Sequence, residues 1–202
     1  MKSVSVLLRT AFLAIATVGL VATVSAQQYV VDVNKSVLQW KGYKVTGQHH
    51  GTVKLKNGNL QFENGMLKGG SFQIDMTSIS NEDLSGEWKT KLENHLKSDD
   101  FFGVEKYPVS SFVITKVVSK GKPGEYKIVG NLTIKNHTKE IKFDAVTREE
   151  NGQLIAEADI RVDRADFDVR YGSGSFFDNL GDKTIYDEFD IHVKLVATPA
   201  GR

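Results

Sequence analysis

The chain has 202 residues, with 26 basic and 25 acidic side chains, a formal charge of +1 and no cysteine. Such balance gives no electrostatic pull toward nucleic acid or an anionic membrane. Without cysteine the fold must hold without disulfides, and lipoprotein attachment is excluded by chemistry.

Lys2 and Arg9 flank the start of an apolar stretch from Ala11 to Val24, which ends in the small-residue pattern Val24-Ser25-Ala26. Residues 1–26 read as a signal peptide and 27–202 as a single domain beginning at Gln27, with an uncleaved anchor as the alternative. The stretch is short for a membrane span and no second one follows, so no stable membrane insertion is expected after cleavage. A bacterial protein of the periplasm or the medium is the expectation. Cleavage leaves 176 residues (202 less 26), enough for one sizeable core, and removes Lys2 and Arg9, taking the formal charge from +1 to −1.

Most of the remaining chain alternates apolar and polar residues with period two, the signature of half-buried strands. The apolar rows are Leu38 and Trp40; Val53 and Leu55; Phe72, Ile74 and Met76; Phe112 and Ile114; Tyr126, Ile128, Leu132 and Ile134; Ile141, Phe143 and Ala145; Leu154 to Val162; and Ile185 to Leu195. Turn signals fall between rows at Asn57-Gly58, Asn64-Gly65, Gly121-Lys122-Pro123-Gly124 and Asn151-Gly152. The three prolines, Pro108, Pro123 and Pro199, lie outside the strand cores.

One segment breaks the pattern. From Leu84 to Pro108, Leu84, Trp88, Leu92 and Leu96 recur every four residues, which predicts an amphipathic helix, opened by a capping box at Ser80-Asn81-Glu82-Asp83 and closed over Ser98 to Phe102. About eight antiparallel strands, each with one apolar face, form either a two-sheet sandwich or a closed barrel. The inserted helix favours a barrel, and an apolar lid on a barrel implies a greasy ligand. The predicted wall is Phe72, Ile74, Met76, Phe112, Ile114, Ile128, Leu132, Phe143 and Ile160, with Trp88, Leu92, Phe101 and Phe102 as cap. Phe176 and Phe177, in the glycine-bearing stretch from Gly172 to Asp182, are placed near the ligand.

Catalytic patterns are thin. His49 and His50 are adjacent, so in a strand they point to opposite faces and cannot chelate together; His49 shares the parity of Val53 and faces the interior or the mouth. Asp163, Asp166 and Asp168 with Arg161, Arg164 and Arg170 lack the glycine and glutamate of a calcium loop and read as a solvated face. No Gly-x-Ser-x-Gly, phosphate loop or dinucleotide fingerprint occurs, so no catalytic residue, metal or cofactor is assigned.

Blocks at Tyr29-Val30-Val31-Asp32, Ser71 to Asp75, His95 to Phe102, Tyr107-Pro108 and Gly130 to Lys135 resemble the YceI-like family over essentially the whole chain from Tyr29 to Ala197. The resemblance implies a lipocalin-like antiparallel β-barrel, exported to the periplasm, non-catalytic, holding an isoprenoid quinone or polyprenyl phosphate. Asn136 departs from the glycine often found after the Leu-Thr-Ile-Lys block, though asparagine tolerates left-handed backbone. The expected partner is thus an isoprenoid lipid or quinone, not nucleic acid, and a homodimer is compatible with the sequence. Two rivals stand beside this carrier or reservoir: a barrel with a solid core, and a metal-dependent enzyme using His49.

Overall fold

Alternating side chains that hide one face need a closed surface, and the chain supplies it. The structure, a computed structural model, describes residues 25–201. The signal-peptide reading, Ser25 and Ala26 apart, lies outside the described residues. The elements are β1 (Ala26–Val31), β2 (Val37–Lys44), β3 (Gly47–Glu63), β4 (Met66–Asn81), α1 (Gly86–Lys97), β5 (Val109–Ser119), β6 (Glu125–Ile134), β7 (His137–Glu150), β8 (Gln153–Asp163) and β9 (Ile185–Pro199).

Among the described residues nine strands fill eight places in a closed antiparallel barrel. β1 and β2 share one place: both lie between β3 and β9, with Val30 opposite Asn59 and Thr198, and Trp40 opposite Gly51 and Ile191. The break between them is held by side chains. Asp32 Oδ1 accepts the Asn34 N–H at 3.0 Å, and the Ser36 hydroxyl accepts the Val196 N–H at 3.0 Å, satisfying the ladder where the strand is interrupted.

The two ends of the barrel differ. One carries α1 with its following loop and the long connection between β8 and β9; we call it the helical end. The other carries the β3–β4, β5–β6 and β7–β8 turns and both β1 and the end of β9. Asn64-Gly65 and Asn151-Gly152 make their hairpins with φ of 51° and 75° at both sites.

Four local expectations fail. Asn57-Gly58 is no turn: β3 runs through it, and a Cβ on Gly58 would meet the Phe72 ring at 2.7 Å, so this glycine serves close approach across the sheet. The left-handed residue in the β6–β7 turn is Lys135 (φ 55°), not Asn136, and its ammonium donates to the Asp168 carbonyl at 3.0 Å. The helix starts only at Gly86, so Leu84 of the apolar repeat stands outside it, while its end comes at Ser98 as expected, which turns extended and bonds back to the His95 carbonyl through both N–H (3.1 Å) and hydroxyl (2.8 Å). Ser80 and Asn81 end β4 instead of capping the helix, whose N-cap is Ser85 without a side-chain bond. The tie is made from within the helix: Glu93 accepts the Asn81 N–H at 2.8 Å and Lys89 donates to the Asn81 carbonyl at 2.7 Å.

Candidate functional site

Toward the hairpin end the inward side chains are buried. Tyr29, Leu60, Phe62, Leu67, Tyr126, Leu154 and Ala197 are buried there, with the Tyr29 and Phe62 rings edge to face at 5.3 Å. Further up, the inward residues of β7, β8 and β9 are different. Ile141, Phe143, Ala145, Ile160, Phe189, Ile191 and Val193 point inward yet are only half-buried. They face space: an internal cavity of about 240 Å³ whose wall is almost wholly carbon. Close-packed interiors leave few voids larger than a water molecule, so this is a designed hollow and not a packing defect.

Eleven of the fifteen residues expected around a ligand border this cavity: Phe72, Ile74 and Met76 from β4, Phe112 and Ile114 from β5, Ile128 and Leu132 from β6, Phe143 from β7, Ile160 from β8, and Phe101 and Phe102 from the loop after α1. Phe112 stacks on Phe72 at 6.4 Å and meets Phe143 at 5.5 Å, forming a shelf across the interior. Gly130 makes room for it, since a Cβ there would strike the Phe112 ring at 2.3 Å.

The other four do not reach the cavity. Trp88 is 70% exposed, with the Lys91 ammonium over its ring at 5.1 Å, and Leu92 is half-buried but does not border the cavity. A four-residue repeat drifts by about 40° per step on a helix of 3.6 residues per turn, so Trp88 and Leu96 lie about 80° apart. Only Leu96, in the last turn, faces the cavity. Phe176 and Phe177 are 41% and 50% exposed; their N–H groups both turn back onto the Ser173 carbonyl, and buried Ser173 anchors the loop while the rings point out. The Arg170 guanidinium covers Phe176 at 4.8 Å.

Closure of the helical end rests on a residue that the sequence reading placed in solvent. Arg164 is 2% exposed: it keeps the inward parity of Ile160 and Val162, and β8 gives way after Asp163 to a single 3-10 turn, Arg164–Phe167. Its guanidinium donates to the carbonyls of Val169 (2.7 Å), Ile185 (2.9 Å) and Tyr186 (3.2 Å), pairs with the Asp187 carboxylate at 3.2 Å, and lies 5.4 Å from the Phe101 ring centre. Burial pulls its pKa down from the usual guanidinium range, against the opposing pull of Asp187. His95, edge-on to Phe101 (5.7 Å) and Tyr171 (4.3 Å), joins the same junction from α1, and burial lowers its pKa. The two long connections are thereby stitched together over the cavity.

His49 does not border the cavity. Its Nδ1 lies 2.7 Å from Asp83 Oδ2, and Asp83 Oδ1 accepts the His50 N–H at 2.9 Å and the Asn81 amide at 2.6 Å. Burial pushes the Asp83 carboxyl up, but the bonds from His50, His49 and Asn81 outweigh it and hold the pKa at about 2. The cluster ties the β2–β3 edge to the start of the α1 connection. Among the described residues no group of three or more His, Asp or Glu is arranged to hold a metal ion, and no helix is long and apolar enough to cross a membrane.

The wall also has a seam. β7 pairs with β6 over His137–Val146 and β8 with β9 over Leu154–Asp163, yet among the described residues the β7–β8 ladder joins only Ala145–Glu150 to Gln153–Ala158. Continued in register, Phe143 would face Ile160 and Lys142 would face Arg161; there the two strands part. The parted strands carry the half-buried Ile141, Phe143 and Ile160, so the seam opens on the cavity's apolar flank. Sequence periodicity reports which face a residue takes and not which neighbour it pairs with, so the seam had no signal in the chain.

Residues 29–197 match the sequence family described as the YceI-like domain. A UPF0312 protein of Pseudomonas putida is 30% identical over 128 residues, covering 59% of this chain and 62% of that protein; one of Staphylococcus aureus is 52% identical over 52 residues, 26% of this chain and 27% of that protein. The chain thus spans about three fifths, or less, of the length of these curated relatives. Among solved structures, Burkholderia cenocepacia BcnA superposes with a TM-score of 0.69 at 21% identity, over 83% of this chain and 99% of that one. A polyisoprenoid binding domain from Saccharophagus degradans, implicated in plant cell wall breakdown, gives 0.60 at 13% identity, over 84% and 97%. At these identities the likeness shows a shared fold.

Proposed function

From the premise that the chain belongs to the YceI-like family, we propose that it is an exported, non-catalytic carrier or reservoir that holds one isoprenoid lipid inside the barrel. The observation that carries this reading is the carbon-walled hollow of about 240 Å³, faced by inward residues left half-buried. Leaving such apolar space empty forfeits packing contacts, as it does in truncated cores, and so costs stability. A hydrocarbon ligand removes that cost. Each prenyl unit buried contributes roughly 4 kcal/mol at about 0.8 per methylene-sized group, offset in part by ordering the chain. Selectivity then comes from the length and width of the hollow, and the β7–β8 seam is the route in and out.

The polyisoprenoid named for the Saccharophagus degradans domain supports an isoprenoid over another lipid. His49 pairs with Asp83 and does not border the cavity, which supports binding over catalysis. The test is organic extraction and mass spectrometry of protein purified from its own host. One isoprenoid per barrel supports the carrier; protein that is repeatedly lipid-free, and stays so after incubation with isoprenoid, refutes it.

A further inference from the structure

Four buried side-chain atoms have no hydrogen-bond partner among the described residues: Asn59 Oδ1, His95 Nε2, Asp187 Oδ1 and Ser110 Oγ. Of these residues Ser110 alone borders the cavity. It is 5% exposed, opens β5 two residues after Pro108, and stands opposite Ile74 at the helical end. Resting on the lipid-binding reading above, we propose that the Ser110 hydroxyl is the hydrogen-bonding subsite for an uncharged oxygen, a carbonyl or hydroxyl, of the enclosed lipid.

The rest of the wall leaves that role to Ser110. The Trp40 N–H is already given to the Thr52 and Ser80 carbonyls at 3.3 and 3.2 Å, and the Tyr43 hydroxyl to Asp190 at 2.6 Å. Arg164 is the one cationic side chain in the wall, and each of its three nitrogens holds a protein carbonyl. Thr147 and Glu157 also border the cavity, but from the β7–β8 ladder toward the hairpin end, and Tyr186 is 52% exposed, so a phosphate enclosed beside Ser110 would find no free cation and one hydroxyl, too little for a dianion. A water would find one polar partner where it needs two to four. A carbonyl or hydroxyl oxygen carried in on a hydrocarbon tail needs one bond, and Ser110 offers one. The lipid therefore lies with its oxygen-bearing head beside β5 at the helical end and its tail toward β7–β9.

Three probes with one tail test this on delipidated protein: farnesene, farnesol and farnesyl phosphate, titrated into wild type and Ser110→Ala. The expected result is that Ser110→Ala weakens farnesol about tenfold, the worth of one enclosed hydrogen bond, and leaves farnesene within about twofold. Farnesyl phosphate is the weakest ligand of wild type. Ligand-free Ser110→Ala melts at or above wild type, because the hydroxyl removed had no partner to lose. A lowered melting temperature with an unchanged farnesol-to-farnesene ratio makes Ser110 a structural residue and overturns the subsite. So does phosphate binding more tightly than the alcohol. If wild type binds none of the three, the lipid-binding reading falls and the subsite with it; if it binds both neutral probes and Ser110→Ala leaves their ratio unchanged, the subsite alone falls.

Discussion

Replacing Gly42 by leucine separates a hollow barrel from a packed one by the sign of the effect. Gly42 shares the inward parity of Leu38 and Trp40, borders the cavity, has nothing within 4 Å of where a Cβ would stand, and has no positive φ. A glycine within a strand costs about 0.5–1 kcal/mol against alanine, and three further carbons entering apolar space contribute about 0.8 kcal/mol each. Allowing for incomplete burial, Gly42→Leu stabilises the ligand-free barrel by about 2–3 kcal/mol, or about 5–10 °C in a protein of this size. In a filled core the same change would overpack and destabilise by about 1–3 kcal/mol. The leucine occupies space the lipid needs, so farnesol affinity falls about tenfold or more. Thermal melts of delipidated protein and a farnesol titration read both effects. A lower melting temperature with unchanged affinity would refute the hollow at this position.

Other outcomes follow from the same geometry. Arg164→Met leaves three carbonyls and the Asp187 carboxylate without their cation, and is expected to cost about 3–5 kcal/mol in urea unfolding; a loss under 1 kcal/mol would show that the junction does not hold the helical end. Because Asp83 is held at about 2 against a usual 3.8, its stabilisation is complete above about pH 4 and is lost as pH falls from 4 toward 2; this is worth about 2 kcal/mol, and the loss in that window should shrink in Asp83→Asn. The chain has no cysteine, so Lys142→Cys with Arg161→Cys places a unique pair across the seam. Cross-linking that pair with a short bis-maleimide should slow lipid exchange at least tenfold, and unchanged exchange would place the route elsewhere. Trp88→Ala should leave both affinity and melting temperature within error, since the ring contacts solvent and Lys91.

The alternation of apolar residues carried most of this fold. It identified the strand rows, their inward faces and a single helix, and nine wall residues could be named because parity alone determines which way a strand residue points, with Phe101 and Phe102 added as the aromatic pair that follows the helix. What failed depended on information outside any one segment. Trp88 and Leu92 were misplaced because a spacing of four only approximates a helical face, and the approximation worsens along the helix. Arg164 has the inward parity of Ile160 and Val162 but was misread because its charge, among alternating Asp and Arg residues, suggested a solvated face, and nothing local marks that a guanidinium there meets the carbonyls of Val169, Ile185 and Tyr186. Asn57-Gly58 carries a hairpin dipeptide, yet its glycine answers to Phe72 on the next strand. Ser110 gave no signal, since a lone serine at a strand start is ordinary until its surroundings are known to be carbon. The splitting of one barrel place between β1 and β2, and the parting of β7 from β8, are properties of pairing between strands and leave no periodic trace.

Xenon bound under pressure to crystals of the delipidated protein measures the hollow itself, since apolar cavities stay dry and take up such atoms. The account predicts xenon density inside the barrel among Phe143, Ile160, Phe189 and Ile191, and its disappearance when the crystals are soaked in farnesol. Side chains filling that space, with no xenon in it, would contradict the account.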